Sequence, residues 1–226
     1  MKKFINTLLV VALIIPEIAM ASLNFHSLYF GASAGIKQNG LKSGFGDNLF
    51  RTTQPTAQIF AGIGLLPNLD LEFDLEKTIN YKNTSNVAAG SYFLGNIAPP
   101  GSPTRSFKSD AKYISVGVKL FYKFNTFKIE NFNFLIGAGI KRAKVKLTSQ
   151  NLHNMKTFDL RDNNSKNLLT LSTGVEYMFN KVCGLRGLVS WENTSKLQPS
   201  LNQSGLNYMA QFKNSISYTL GLIARF

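Results

Sequence analysis

The chain is short of the residues that most protein chemistry uses. It has one cysteine and two histidines in 226 residues, which excludes a disulfide framework and argues against a dedicated zinc site. Acids are scarce: 12 Asp and Glu stand against 25 Lys and Arg, a formal net charge of +13. Charged residues make up only 16%, below the roughly 25% of a soluble domain. Beyond the N-terminus no apolar run approaches the ~20 residues of a membrane-spanning helix. A hydrophobic content of 44% excludes a disordered chain. No motif for binding RNA or DNA is present, so the positive charge is not a nucleic-acid signal.

What is present begins with an export signal. Lys2 and Lys3 precede an apolar stretch from Phe4 to Ile15, broken only by Asn6 and Thr7. Pro16 and Glu17 end it, and Ala19-Met20-Ala21 supplies the small residues that a signal peptidase reads. We expect residues 1–21 to be a cleaved signal peptide and residues 22–226 to form a single domain, with a formal charge of +12.

That domain alternates almost throughout. Leu69, Leu71, Phe73 and Leu75 interleave with Asp70, Glu72, Asp74 and Glu76. The same period of two runs through 28–36, 57–65, 114–122, 132–141, 169–179, 185–192 and 216–226. A period of two places successive side chains on opposite faces of a strand. About eight such strands result, each near the 9–11 residues that a tilted strand needs to cross a bilayer. Short connections at Pro67-Asn68, 125–131 and Asn180-Lys181 alternate with long polar segments at 38–52, 82–110, 148–166 and 196–212, which read as loops. This describes an all-β, eight-stranded, antiparallel up-and-down barrel whose first and last strands pair to remove the edges.

One face is wide, aliphatic and aromatic. The other is glycine-rich, with isolated Glu72, Lys119, Glu176, Arg186, Glu192 and Arg225. Small residues with a few opposite charges suit the interior of a narrow barrel, leaving the apolar face to lipid. Tyr81, Tyr122, Phe132, Tyr177, Phe179, Trp191, Tyr218 and Phe226 lie near strand ends, where interfacial girdles form. A soluble lipocalin-like barrel, with the apolar face lining a ligand cavity, is the alternative.

The chain closes on an alternating strand, with Tyr218, Leu220 and Leu222 on one face and a terminal Phe226. This ending resembles the final-strand signal read by the outer-membrane insertion machinery of Gram-negative bacteria. From about residue 27 to 226 the chain resembles the small eight-stranded OmpA-like and Opa-like surface barrels. In its Lys, Asn, Ile and Phe richness it also resembles rickettsial-type surface antigens and adhesins. The resemblance implies location in the bacterial outer membrane, with lipid, lipopolysaccharide and the insertion machinery as partners, and a host surface glycan or receptor as a further partner. It implies no cofactor.

Candidate chemistry is sparse. His153, with Asp159, Asp162, Ser149 and Ser165 nearby, would be the material for a hydrolase on the rim, but no nucleophile motif accompanies it. Asp70, Glu72, Asp74 and Glu76 could hold Ca²⁺, though inward-facing acids more readily pair with Lys119, Arg186 and Arg225. We therefore expect no catalytic or metal site. The long segments hold nine basic and four acidic residues. Lys82, Arg105, Lys108, Lys156 and Arg161, with Arg142, Lys144 and Lys146 at the top of the fifth strand, form an expected basic rim able to attract lipopolysaccharide phosphates or anionic glycans. A structural or adhesin-like surface role follows. A small porin is the alternative, although eight strands leave an interior just filled by side chains.

Overall fold

The computed structural model describes residues 27–41, 52–79, 83–88, 92–93, 96–97, 104–125, 131–153, 157–161, 165–203, 206–209 and 212–226. The expected signal peptide, Lys82 and Lys156 lie outside the described residues.

Eight long strands make the wall: β1 (Ser27–Leu41), β2 (Thr53–Leu66), β3 (Leu69–Thr78), β4 (Arg105–Phe124), β5 (Phe132–Asn151), β6 (Lys166–Met178), β7 (Cys183–Glu192) and β8 (Phe212–Arg225). Each pairs antiparallel with its sequence neighbours. β1 also pairs with β8, in the register Tyr29 opposite Arg225 and Ala34 opposite Leu220. Leu28 and Phe226 exchange both backbone hydrogen bonds, at 3.0 and 2.8 Å, at the foot of this seam. Among the described residues the eight wall strands therefore form a closed ring, the condition a sheet must meet in lipid.

Tight turns join strands at one end. Pro67 and Asn68 connect Leu66 to its partner Leu69. Between β6 and β7 the Asn180 side chain accepts hydrogen bonds from the backbone N–H groups of Val182 and Cys183, at 2.8 and 2.7 Å. Asn131, before β5, sits at φ 63°, a left-handed conformation that asparagine tolerates.

The opposite end corrects one expectation. Segments 82–110 and 148–166 contain strand, not only loop. β4 and β5 run 20 residues each and stay paired from Phe124–Phe134 up to Phe107–Asn151. Asn83–Val87 adds to the outer part of β4, and Thr157–Arg161 to that of β5. A hairpin of Ser200–Gln203 and Leu206–Met209 continues the sheet through a contact of Ser200 with Arg161. Arg105, Lys108 and Arg161 thus sit on strands.

The reason lies in a switch of parity. Along β5, Ile136, Ala138 and Ile140 face outward, and then Arg142, Lys144 and Lys146 occupy that same outward face. Beyond this point the apolar residues Ala143, Val145 and Leu147 face inward and are buried. β4 switches at the matching level: Tyr122, Leu120, Val118, Val116 and Ile114 face outward, followed by Lys112, while Tyr113, Ala111 and Phe107 are buried inside. Below the switch the outside is lipid, so the outer face is apolar. Above it the outside is water, and the sheet packs an ordinary core with Leu168, Leu197 and Phe212. The nine residues from Ile114 to Tyr122 rise about 30 Å along the strand. Tilted by 35–45°, they match an apolar band roughly 25 Å tall.

Candidate functional site: a neutral lumen and a basic outer wall

The lumen is filled. Six cations (Lys37, Lys119, Lys123, Lys141, Arg186 and Arg225) meet six anions (Asp70, Glu72, Asp74, Glu76, Glu176 and Glu192) in two stacked clusters. In the upper cluster Lys37 lies 3.0 Å from Glu76 and 2.5 Å from Glu192, and Lys141 lies 2.5 and 2.7 Å from the same two acids. Lys119 pairs with Asp74 at 2.5 Å. The Tyr113 hydroxyl donates to Glu192 at 2.9 Å, and the Lys37 ammonium sits 3.8 Å from the centre of the Tyr113 ring. In the lower cluster Arg186 contacts both Glu72 and Glu176, the latter at 2.7 Å. Arg225 lies 3.0 Å from Glu176 and 3.3 Å from Asp70, and Lys123 lies 2.9 Å from Asp70.

Glycines make the room. A Cβ on Gly62 would fall 2.3 Å from the Tyr29 ring, and one on Gly137 would fall 2.5 Å from that of Phe121. The rings of Tyr29, Phe60 and Phe121 surround the Arg186 guanidinium at 5.1, 4.8 and 5.6 Å. Charges and rings together close the cross-section at mid-barrel. The described lumen is electrically neutral, so the formal +13 of the chain falls on everything else.

The structure places the residues singled out by sequence as follows. Glu72, Lys119, Glu176, Arg186 and Glu192 are buried in the lumen, and Arg225 lies partly buried at its lower mouth. Lys37, Lys123 and Lys141 join them, three cations that are not among the interior charges named from the sequence. Tyr218, Leu220, Leu222 and Phe226 are exposed on the outer wall. Arg142 and Lys144 are exposed on the outer face of β5, and Lys146 is half-exposed there and paired with Asp159 at 2.9 Å. Arg105 and Lys108 are exposed on the projecting part of β4.

The hydrolase constellation is split by the wall. Ser149 faces inward and bonds the Ser109 hydroxyl at 2.9 Å, whereas Asp159 holds Lys146 on the outer side. His153 is exposed in a turn, and Asp162 lies outside the described residues. Each acid of β3 has a cation beside it, so the strand presents pairs rather than an open ligand cage.

The outer face carries the remaining signature. Among the described residues twenty-eight large hydrophobics are exposed, including Phe73, Val118, Ile136, Ile140, Leu171 and Leu220. A barrel with this much apolar surface outside and ion pairs inside is built for lipid. Near the short-turn end aromatic rings stack on the outer wall: Phe30 on Phe226 at 5.4 Å, Phe124 on Phe134 at 5.6 Å, and Tyr177 against Phe179 at 5.7 Å. The profile of the outer membrane protein beta-barrel domain family matches residues 7–219.

The chain belongs to that family. This outer-membrane barrel resides in the bacterial outer membrane, so the soluble lipocalin-like alternative falls. Solved structures share its fold. Neisserial surface protein A superposes with a TM-score of 0.53 at 16% identity, over 88% of this chain and 97% of that one. A major outer membrane protein from Thermus thermophilus gives 0.53 at 16% identity, over 89% and 100%. OprG from Pseudomonas aeruginosa gives 0.51 at 12% identity, over 88% and 95%. No curated protein sequence matches the chain. In barrels of this class short turns face the periplasm and long connections face the exterior. The projecting parts of β4 and β5 therefore stand on the outer surface of the cell.

Proposed function

We propose that this protein is a non-conducting surface barrel with an adhesin-like role, whose projecting basic end contacts anionic glycans or lipopolysaccharide. The observation that carries this reading is the partition of charge. Among the described residues the lumen balances six against six, so the positive excess of the chain lies outside it. Arg105 and Lys108 on β4, Arg142, Lys144 and Lys146 on β5, and Arg161, Lys82 and Lys156 in the flanking segments supply the attracting surface. Long-range attraction of this kind steers an anionic polymer and weakens with salt. A rigid extension of paired strands supports such contacts better than free loops, because less conformational entropy is lost on binding.

The test is retention of the refolded full chain on heparin across a salt gradient, with R105S/K108S as the comparison. Wild type should elute at higher salt than the variant. Equal elution, or no retention at low salt, defeats the glycan reading. For biogenesis, we propose that Tyr218, Leu220, Leu222 and Phe226 are read by the outer-membrane insertion machinery, as the alternating end of β8 suggests.

A further inference from the structure

The outward cations of the projecting sheet do not form one continuous patch. On this face Lys108, Asp110 and Lys112 follow one another down β4, and Thr148, Lys146, Lys144 and Arg142 descend β5 beside them. The register sorts these residues into rows across the strands. Thr84, Lys108, Gln150 and Thr157 form the uppermost row, with Arg105 beyond it at the tip of β4. Asp110, Thr148 and Asp159 form the next row down. Lys112, Lys146 and Arg161 stand below that, then Lys77, Ile114 and Lys144, then Val116 and Arg142.

Carboxylates are confined to the middle of this surface. Asp110 lies 3.6 Å from Lys112, and Asp159 lies 2.9 Å from Lys146. Among the described residues no carboxylate pairs with Arg105 or Lys108 above them, or with Lys77, Arg142 or Lys144 below. The surface therefore has two positive poles, and the waist between them holds both acids. Lys108 and Ile114 are six residues apart on β4, and Lys144 is opposite Ile114, so the poles are about 20 Å apart at their nearest. β4 and β5 are paired through the whole interval, which fixes that distance.

Spacing and pattern together choose the occupant. A compact anionic group touches one pole only. A linear anionic chain laid along β4 and β5 reaches both, and once one pole holds it the other binds at a high effective concentration. At the waist Asp110 and Asp159 repel anionic groups, whereas these carboxylates, Thr148 and Gln150 offer acceptors to hydroxyl groups. A sugar chain supplies hydroxyls there, and a polymer of acidic amino acids does not.

We propose that the basic surface is a two-point site for a linear anionic glycan long enough to bridge both poles. Arg105 and Lys108 hold one part of the chain, Lys77, Arg142 and Lys144 hold another, and the acids between them keep short chains from binding tightly. This rests on the basic-surface reading above and names the class of glycan that the surface selects.

The experiment measures calorimetric binding of heparin fragments of graded length, from disaccharides to chains well beyond the ~20 Å span, to the refolded full chain in zwitterionic detergent at low salt. Wild type should bind the long chains about 100-fold more tightly than fragments too short to bridge. R105S/K108S and R142S/K144S should each bind long chains about as weakly as short ones. Short fragments should still bind the remaining pole of each variant, which shows that both are folded. D110N/D159N should bind short fragments more tightly than wild type and narrow the dependence on length. Affinity independent of length in wild type, or a long-chain preference that survives the loss of either pole, overturns the two-point site and leaves the glycan reading standing. Poly-L-glutamate of matching length binding as tightly as heparin overturns the choice of a glycan. Failure of wild type to bind fragments of any length defeats the basic-surface reading and this site with it.

Discussion

Lys37 of β1 and Glu192 of β7 meet at 2.5 Å across the lumen, although 155 residues separate them in the chain. Both are fully buried, and Lys141 reaches the same carboxylate from β5. One acid therefore ties three strands from two sides of the ring.

Removing that acid should be costly. Glu192→Gln leaves Lys37 and Lys141 with Glu76 as the carboxylate they share. Breaking a buried ion pair from one side costs about 3–5 kcal/mol. Urea unfolding in micelles or bilayers measures it, and a loss below about 1 kcal/mol, the range of exposed pairs, would mean that the lumen is wetter than described.

The filled cross-section predicts electrical silence. The wild-type barrel in planar bilayers should give no steady ion conductance, since Arg186, Tyr29, Phe60 and Phe121 occupy the middle of the lumen. Steady conductance would revive the small-porin alternative.

Gly137 provides a packing test. Valine there would drive its side chain into the Phe121 ring and the Leu120 carbonyl. Overpacking of this kind costs about 1–3 kcal/mol, and more where backbone blocks relief. The expected result is a lower folded fraction on refolding, read from the gel mobility of unheated samples.

The membrane register can be mapped by arginine scanning of β4. Val118, at the middle of the apolar band, should lose about 2–4 kcal/mol as Val118→Arg, whereas Ile114→Arg at its upper edge should lose about 0–1. Equal penalties would place the band elsewhere.

Phe226→Ala separates assembly from stability. The side chain is largely exposed beside Phe30, so refolding in detergent should change little. Assembly in the outer membrane of living cells should fall. An unchanged cellular level would remove the terminal phenylalanine from the insertion signal.

Much of this protein was legible in the sequence because lipid outside and a polar lumen inside impose a strict period of two. That rule located the eight wall strands, showed that Glu72, Glu176 and Arg186 lie opposite Phe73, Val175 and Gly187 in face, and required the first and last strands to meet. The rule fails above the membrane, where water replaces lipid and the apolar residues change sides. Phe107, Tyr113, Val145 and Leu147 depart from the alternation of Ile114–Tyr122 and Ile136–Ile140, so the outer ends of β4 and β5, residues 105–110 and 148–151, read as loop from the sequence. The partners of the lumen charges were also out of reach of the sequence. Which cation meets which acid depends on how far the strands stagger as the ring closes, a property of the whole sheet. Alternation can show that Lys141 faces inward. Only the closed barrel brings it to Glu76 and Glu192, and only the pairing of β3, β4 and β5 sets Lys77 and Lys144 on either side of Ile114.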